Sequence, residues 1–95
     1  MPRFGDRRVD VVLDVRTKLE YWLGHLPGAV QIPVTELERR LGDHPEIRKD
    51  ASILVYCASG ARSAQAVDVM RRMGYRRVVD GGGIATARAG FTPDR

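Results

Sequence analysis

Cysteine is nearly absent from this chain of 95 residues, which contains one, Cys57. A single cysteine excludes an intramolecular disulfide and a cysteine-rich metal site. The two histidines, His25 and His44, are too few and too far apart in the sequence to indicate zinc. We therefore expect no bound metal and no cofactor.

Long apolar runs are missing as well. No stretch approaches the length of a membrane-spanning helix, and the basic start of the chain, Met1–Arg8, is not followed by the apolar segment of a signal peptide. We expect a cytoplasmic protein without membrane association. Hydrophobic residues make up 43% and charged residues 29% of the sequence, which is ordinary for a globular protein. The length predicts one domain, residues 1–95, with a single core.

Aromatic residues are also scarce, at 6%, and only one of them, Tyr75, lies among the clustered arginines that carry much of the net charge of +4. Proteins that bind nucleic acid by base stacking usually present several such aromatics. We therefore interpret the arginines as a solvated basic face that attracts small anions mildly, and expect no nucleic-acid partner. The clusters are Arg39–Arg40 and the group Arg71, Arg72, Arg76 and Arg77.

Apolar segments alternate with amphipathic ones along the chain. This pattern is typical of an α/β domain in which a mainly parallel sheet carries helices on both faces. Strands are predicted at Val9–Leu13, Ala29–Ile32, Ile53–Tyr56 and Arg77–Val79. Helices are predicted at Thr17–Leu23, at Thr35–Leu41 with a capping box from Thr35 to Glu38, over one turn at Pro45–Lys49, and from Ser63 to a terminating Gly74; Asp80–Gly83 is predicted to be flexible.

Cys57 stands where a strand ends and a helix begins. In parallel sheets, ligands bind beyond the carboxyl ends of the strands. The segments Asp14–Arg16 and Asp80–Gly83 also follow strands, so we expect them to surround one pocket together with Cys57.

The loop from Cys57 to Arg62 has four residues between the cysteine and the arginine, and all four are small. Small residues let the backbone curl so that several N–H groups point inward, and the helix N-terminus that follows adds a positive dipole end. A thiol in this position is favoured as thiolate, the reactive form. The sequence therefore predicts a nucleophile, Cys57, in an anion-binding loop formed by Ala58, Ser59, Gly60, Ala61, Arg62 and Ser63.

Three side chains at the loop have two interpretations each. Arg62 either contacts the bound anion or braces the loop, and neither role is favoured. Ser59 and Ser63 either donate hydrogen bonds to sulfur or cap the helix, and capping is the preferred interpretation for Ser63.

Outside the loop, Arg16 is considered as an anion contact, but an ion pair with Asp14 or a nearby carboxylate is preferred. His25 is interpreted as a hydrogen-bonding turn residue rather than an acid–base catalyst. Tyr21 and Trp22 are assigned to packing in the core or at its rim.

Two other cysteine or phosphate chemistries do not fit the sequence. A nucleotide-binding P-loop requires a Gly-x-x-x-x-Gly-Lys-[Ser/Thr] pattern, which this loop lacks. A papain-like protease has histidine and asparagine downstream of its cysteine, whereas both histidines here precede Cys57.

The motifs resemble those of the single-domain rhodaneses, a family of thiosulfate sulfurtransferases. The matching segments are Leu13–Arg16, Glu20–Ala29, Ile32–Pro33, Tyr56–Ser63, Met73–Tyr75 and Asp80–Ile84, which extend in the expected order over nearly the whole chain. The small phage-shock-type rhodaneses resemble it most, because their loops also end in a serine followed by a helix with glutamine and alanine.

The resemblance implies a mechanism. Cys57 would attack the outer sulfur of thiosulfate, and the backbone N–H groups of Ala58–Arg62 would hold the resulting persulfide. The sulfur would then pass to cyanide, a small thiol or a protein thiol such as that of a thioredoxin-like protein, in ping-pong order. Because the chain has no second cysteine, any resolving thiol must come from another molecule.

Two alternatives stay open beside this hypothesis. A rhodanese-like module could carry sulfur or bind partners without turnover, and related phosphatases and arsenate reductases share the fold. The latter have five residues between cysteine and arginine, so the four residues here favour sulfur transfer.

The chain also departs from the family pattern. Its N-terminus is short, and Ile84–Ala87 stands where the family often has a tryptophan. Both departures bear on stability and on the oligomeric state, for which a monomer or weak dimer is expected.

Overall fold

A four-stranded parallel sheet forms the centre of the molecule, as the alternation of segments predicts. The computed structural model describes residues 1–93, and the elements below lie within them. The strands are β1 (Arg3–Phe4), β2 (Arg7–Arg8), β3 (Val11–Asp14), β4 (Val30–Gln31), β5 (Ser52–Cys57), β6 (Arg77–Gly83) and β7 (Phe91–Thr92), and the helices are α1 (Lys18–Trp22), α2 (Leu37–Arg40), α3 (Ala61–Arg72) and α4 (Ile84–Gly90). Two 3₁₀ turns, Val34–Glu36 and Leu41–Asp43, flank α2.

The strand order in this sheet is β4-β3-β5-β6, and every neighbouring pair is parallel. Alternate side chains of β5 enter two apolar clusters. Ile53, Val55 and Cys57 join the cluster beneath α2 and α3, whereas Leu54 and Tyr56 join the cluster that Ala87 of α4 completes. Because both faces are covered, the central strands are buried along nearly their whole length, and the predicted helices on both faces are confirmed.

The N-terminal residues form a second, antiparallel sheet in the order β2-β1-β7. Phe4 pairs with Phe91 in the register of β1 and β7, and the Gly5 N–H donates to the Gly90 carbonyl at 3.0 Å. This sheet ties the start of the chain to the end of α4.

The predicted capping box at Thr35 is wrong. Pro33 closes the preceding strand and the Val34 N–H donates to the Val15 carbonyl at 3.1 Å, so the turn begins before Thr35. Thr35 therefore lies inside a 3₁₀ turn, and α2 begins at Leu37 without a side-chain cap. The helical turn predicted at Pro45–Lys49 is also wrong. The last helical residues before β5 are those of the 3₁₀ turn that ends at Asp43, and residues 45–49 form turns and irregular structure.

Asp80–Gly83 is strand rather than a flexible segment, because β6 pairs with β5 as far as Gly83.

The long helix α3 begins at Ala61, two residues before the predicted start. Its end is as predicted: Gly74 has a φ of +99°, and the N–H of Tyr75 donates to the carbonyl of Met70 at 3.0 Å. These bonds satisfy carbonyls at the helix terminus.

None of the helices within residues 1–93 combines the length and the apolar character that crossing a membrane requires.

Candidate active site

Cys57 is the last residue of β5 and is fully buried, with 0% of its surface exposed. Alternation along β5 turns its side chain to the same face as that of Val55, toward α3. The pairing with β6 is irregular between Val55 and Cys57, where the register shifts so that Cys57 lies opposite Gly83. The sulfur is therefore held at the carboxyl edge of the sheet, where the sequence predicts the site.

A backbone N–H points directly at this sulfur. The N–H of Gly60 donates to Cys57 Sγ, with 2.9 Å between nitrogen and sulfur. Gly60 is the N-cap of α3 and has a φ of +106°, a conformation that glycine adopts without steric cost. The loop thus curls around Sγ and places it at the positive end of a twelve-residue helix.

These contacts favour the thiolate. Burial by itself raises the pKa of the Cys57 thiol, but hydrogen bonds from the Ser63 side chain and from the N–H groups of Ser63, Gly60 and Ser59 outweigh it. The net pKa of Cys57 therefore lies below the ordinary value for cysteine. A lowered pKa increases the fraction of the nucleophilic form near neutral pH.

Ser63 does not cap the helix, contrary to the preferred interpretation, because Gly60 occupies the N-cap and Ser63 lies three residues inside it. Its buried hydroxyl lies 3.0 Å from the Gly60 carbonyl, to which it can donate its one proton. When the hydroxyl rotates to donate to Cys57 instead, it stabilises the thiolate and lowers the pKa of the thiol. The exposed Ser59 contributes its N–H. We refer to residues 57–63 as the cradle.

The glycines of β6 form one wall of the cradle. A Cβ on Gly83 would lie 2.8 Å from the Ala58 carbonyl oxygen and 3.3 Å from the Ser59 Cα. Only a residue without a side chain permits this approach. The predicted meeting of Asp80–Gly83 with the cysteine loop is therefore present in the structure.

Arg62 braces the cradle against α1. Its guanidinium donates to both carboxylate oxygens of Glu20, at 2.7 and 2.8 Å. Glu20 also completes a capping box with Thr17, whose N–H donates to the same carboxylate at 3.0 Å. The Arg62 guanidinium beside it, together with the Thr17 N–H, lowers the pKa of Glu20 to about 2. Of the two roles considered for Arg62, the structure shows the brace.

Sequence reasoning missed Glu20 as a site residue. The signal was available in part, since Thr17 and Glu20 have the spacing of a capping box before a short helix. The pairing of Glu20 with Arg62 could not be predicted, because the two residues are 42 positions apart and only the tertiary fold brings them together.

A buried network of polar side chains lies next to the site, at the carboxyl ends of β3 and β5. Arg16 pairs with Asp14, with 2.7 Å between its terminal nitrogen and the carboxylate, and donates to the Gly24 carbonyl. The Tyr56 hydroxyl donates to Asp14 at 2.7 Å and accepts from the Leu26 N–H at 3.0 Å. The network thus joins three segments next to Cys57. Arg16 takes the preferred ion pair, and we assign it no contact with a bound anion.

Tyr21 and Trp22 at the end of α1, and His25 just after it, differ in how far they are exposed. His25 stacks on Tyr21, with ring centroids 3.7 Å apart, and its Nδ1 lies 2.8 Å from the Tyr21 carbonyl oxygen, consistent with a turn residue. Tyr21 packs at the rim of the core. Trp22 does not pack in the core or at its rim, since 82% of its surface is exposed.

Fold and site together define an α/β domain that holds a buried cysteine in an anion-stabilising cradle at the carboxyl edge of its sheet. The rhodanese-like domain model matches residues 3–84, and the chain belongs to this family. A sulfurtransferase of Allochromatium vinosum (strain ATCC 17899) is 40% identical over 91 residues, covering 94% of this chain and 82% of that protein. The thiosulfate sulfurtransferase PspE of Escherichia coli K12 is 35% identical over 72 residues, covering 76% and 68%.

A solved structure described as a rhodanese with anions from E. coli superposes with a TM-score of 0.76. It is 30% identical, and the match covers 88% of this chain and 98% of that one. The resemblance to single-domain rhodaneses is thereby confirmed, as is the α/β rhodanese-like fold.

Proposed function

We propose that this protein is a thiosulfate sulfurtransferase that moves sulfane sulfur through a persulfide on Cys57. The observation that carries the proposal is the Gly60 N–H aimed at Cys57 Sγ at 2.9 Å, in a cradle that lowers the pKa of the thiol. An N–H on the sulfur stabilises the attacking thiolate. The same cradle, with the positive end of α3, suits the negative charge of a persulfide.

In the first half-reaction, the Cys57 thiolate attacks the outer sulfur of thiosulfate. A sulfur–sulfur bond forms to Cys57, the sulfur–sulfur bond within thiosulfate breaks, and sulfite leaves with the electron pair. No proton is transferred at the cysteine when the thiolate attacks, so the lowered pKa of Cys57 reduces the need for a general base.

In the second half-reaction, an acceptor attacks the outer sulfur of the persulfide. With cyanide, a carbon–sulfur bond forms, the persulfide bond breaks, and thiocyanate leaves while the Cys57 thiolate is regenerated. With a thiol acceptor, the product is a persulfide on that thiol. With a thiol acceptor the transferred sulfur keeps its sulfane oxidation state, whereas with cyanide the carbon supplies the two electrons that reduce the sulfur. Neither reaction therefore needs an external oxidant or reductant.

The geometry of the cradle supports sulfur transfer over phosphate or arsenate chemistry. Arg62 follows Cys57 after four residues, and its guanidinium is paired with Glu20. Because the Glu20 carboxylate already holds this guanidinium, Arg62 is less free to bind a tetrahedral oxyanion. The short loop with an N–H directly on sulfur suits a single added sulfur atom.

One observation favours a second function, a sulfur carrier without turnover on small acceptors. Cys57 is fully buried, so a partner that loads or unloads the sulfur must reach it through the cradle. A carrier would form the persulfide but would release it only to a specific protein.

Mass spectrometry after treatment with thiosulfate tests the persulfide directly. We expect the intact protein to gain the mass of one sulfur atom, and the Cys57→Ser variant to gain none. Failure of the wild type to gain sulfur would refute both the enzyme and the carrier.

Turnover separates the two functions. Thiocyanate production from thiosulfate and cyanide, lost in Cys57→Ser, identifies the enzyme, whereas a loaded persulfide that cyanide does not discharge identifies the carrier. Hydrolysis of an aryl phosphate without sulfur transfer would instead support the phosphatase. Ser59→Ala is the matched control for Cys57→Ser. It should keep thiocyanate production, since Ser59 contributes its backbone N–H to the cradle and alanine retains that group.

A further inference from the structure

The short helix α1 presents an apolar surface to solvent. Leu19, Trp22 and Leu23 are exposed over 69%, 82% and 81% of their surfaces. Their spacing of three and four residues places them on one side of the helix. Together with Met1, they are the large hydrophobic residues that stand exposed within residues 1–93. We call these three side chains the α1 apolar face.

This face lies beside the cradle. Glu20, which follows Leu19, reaches Arg62 at 2.7 Å, so α1 is fastened to the last residues of the loop around Cys57. Tyr21 points to the opposite side and hydrogen-bonds the Ala29 carbonyl at 3.0 Å. The helix is therefore oriented with one side toward the core, one edge toward the cradle and its apolar face toward solvent.

The size of the face argues for a transient partner. Three such side chains expose roughly 400 Å², within the range of the largest apolar patches on monomeric proteins, which are often functional. A stable dimer buries about 800 Å² on each subunit, whereas weak encounters of redox proteins bury less. An encounter that must end once sulfur is transferred fits the smaller area.

We propose that the α1 apolar face docks the protein that accepts sulfur from Cys57, a protein whose reactive thiol is set in an apolar surface. This inference rests on the proposed function. The chain has one cysteine, so the accepting thiol comes from another molecule. Docking beside the cradle would bring that thiol to the persulfide, and an apolar contact would position it without competing for the cradle's N–H groups.

The transfer step balances without a further reactant. The acceptor thiolate attacks the outer sulfur of the persulfide, a new sulfur–sulfur bond forms on the acceptor, and the bond to Cys57 breaks. Cys57 leaves as a thiolate, which the Gly60 N–H stabilises.

The test compares two acceptors on the persulfide-loaded protein. Reduced thioredoxin is the protein-thiol probe and cyanide is the small probe. In the double variant Trp22→Ser/Leu23→Ser, we expect the second-order rate constant with thioredoxin to fall by about tenfold or more, as loss of a central apolar anchor does. The rate with cyanide should change by less than about twofold, since cyanide needs no docking surface.

Two further variants isolate the apolar character of the face. Lys18→Ser removes an exposed side chain from the same helix and should leave both rates unchanged. Trp22→Leu keeps an apolar side chain and should restore most of the thioredoxin rate.

Three results would overturn the proposal while leaving the proposed function intact. The first is a thioredoxin rate no higher than that of the small thiol glutathione, which is measured alongside as a reference acceptor. The second is equal losses with thioredoxin and cyanide in the double variant, and the third is self-association through Trp22. The last would appear as a concentration-dependent shift in fluorescence, which is specific because Trp22 is the one tryptophan of the chain. If the wild-type protein produced no thiocyanate from thiosulfate and cyanide, that result would instead refute the proposed sulfurtransferase activity.

Discussion

The carboxylate of Glu20 and the guanidinium of Arg62 meet through two contacts of 2.7 and 2.8 Å, and this pair joins the first helix to the cradle. Glu20 at the same time caps its own helix through Thr17. One carboxylate thus stabilises α1 and holds it against the first turn of α3. This double use leads to the first two predictions.

Replacing Glu20 by alanine removes the brace and the side-chain half of the capping box, while the Thr17 hydroxyl still accepts from the backbone N–H of residue 20. We expect the free energy of unfolding to fall by about 1–2 kcal/mol, since one lost hydrogen bond and one lost, partly exposed ion pair each contribute about 0.5–1 kcal/mol. Glu20→Gln should lose less, because glutamine preserves the capping box. Urea denaturation measures both. Glu38→Ala, at an exposed position in the first turn of α2, is the control and should stay close to wild type.

The same carboxylate predicts a pH dependence of stability. The pKa of Glu20 is lowered to about 2 in the folded protein from 4.5. Its stabilising contribution is therefore complete above about pH 4.5 and is lost as the pH falls toward 2. Between pH 5 and pH 3, the wild type should lose more unfolding free energy than Glu20→Gln. Parallel curves for the two proteins would contradict this.

Ser63 sets the reactivity of Cys57. Removing its hydroxyl in Ser63→Ala takes a hydrogen bond from the thiolate, so the pKa of Cys57 should rise. The pH profile of alkylation by iodoacetamide should move to higher pH, and alkylation at pH 7 should slow several-fold. Ser59→Ala, which keeps its N–H, should leave the profile in place. An unchanged profile in Ser63→Ala would show that backbone N–H groups alone determine the pKa.

The ion pair between Asp14 and Arg16 is buried, and Asp14→Asn leaves the arginine charge without its partner. Breaking one side of a buried pair costs about 3–5 kcal/mol, so we expect a large loss of stability in urea denaturation. If the variant does not fold, Tyr56→Phe gives a milder version, since it removes one hydrogen bond to Asp14. The exposed pair of Arg48 with Asp50 is the control, and Asp50→Asn should change little.

Gly83 limits the shape of the cradle. In Gly83→Ala the new Cβ would meet the Ala58 carbonyl oxygen at 2.8 Å, so the loop must move. A displaced loop should slow persulfide formation roughly ten- to hundredfold, as small misplacements of reacting groups do. Gly42→Ala is the control, since a Cβ there meets nothing within 4 Å. Normal persulfide formation in Gly83→Ala would show that the cradle tolerates the shift.

The central sheet and the position of Cys57 were predictable because they depend on local signals. A continuous apolar run predicts a buried strand, and small residues before an amphipathic stretch predict a tight turn into a helix. The predictions at Thr35 and Ser63 were wrong for a common reason. Both assumed that a serine or threonine near a helix start serves as the cap, whereas Pro33 and Gly60 determined where the helical turns begin.

The sequence by itself determined the order of the four central strands and of the helices between them, the single cysteine and the small residues around it. It did so because apolar periodicity and backbone permissiveness act over a few residues. Only the tertiary structure decided that Arg62 pairs with Glu20, that Gly83 walls the cradle, and that Trp22 faces solvent beside it. These relationships join positions far apart in the chain. Packing of the helices on the sheet brings them together, and no local pattern encodes which distant partner a side chain will meet.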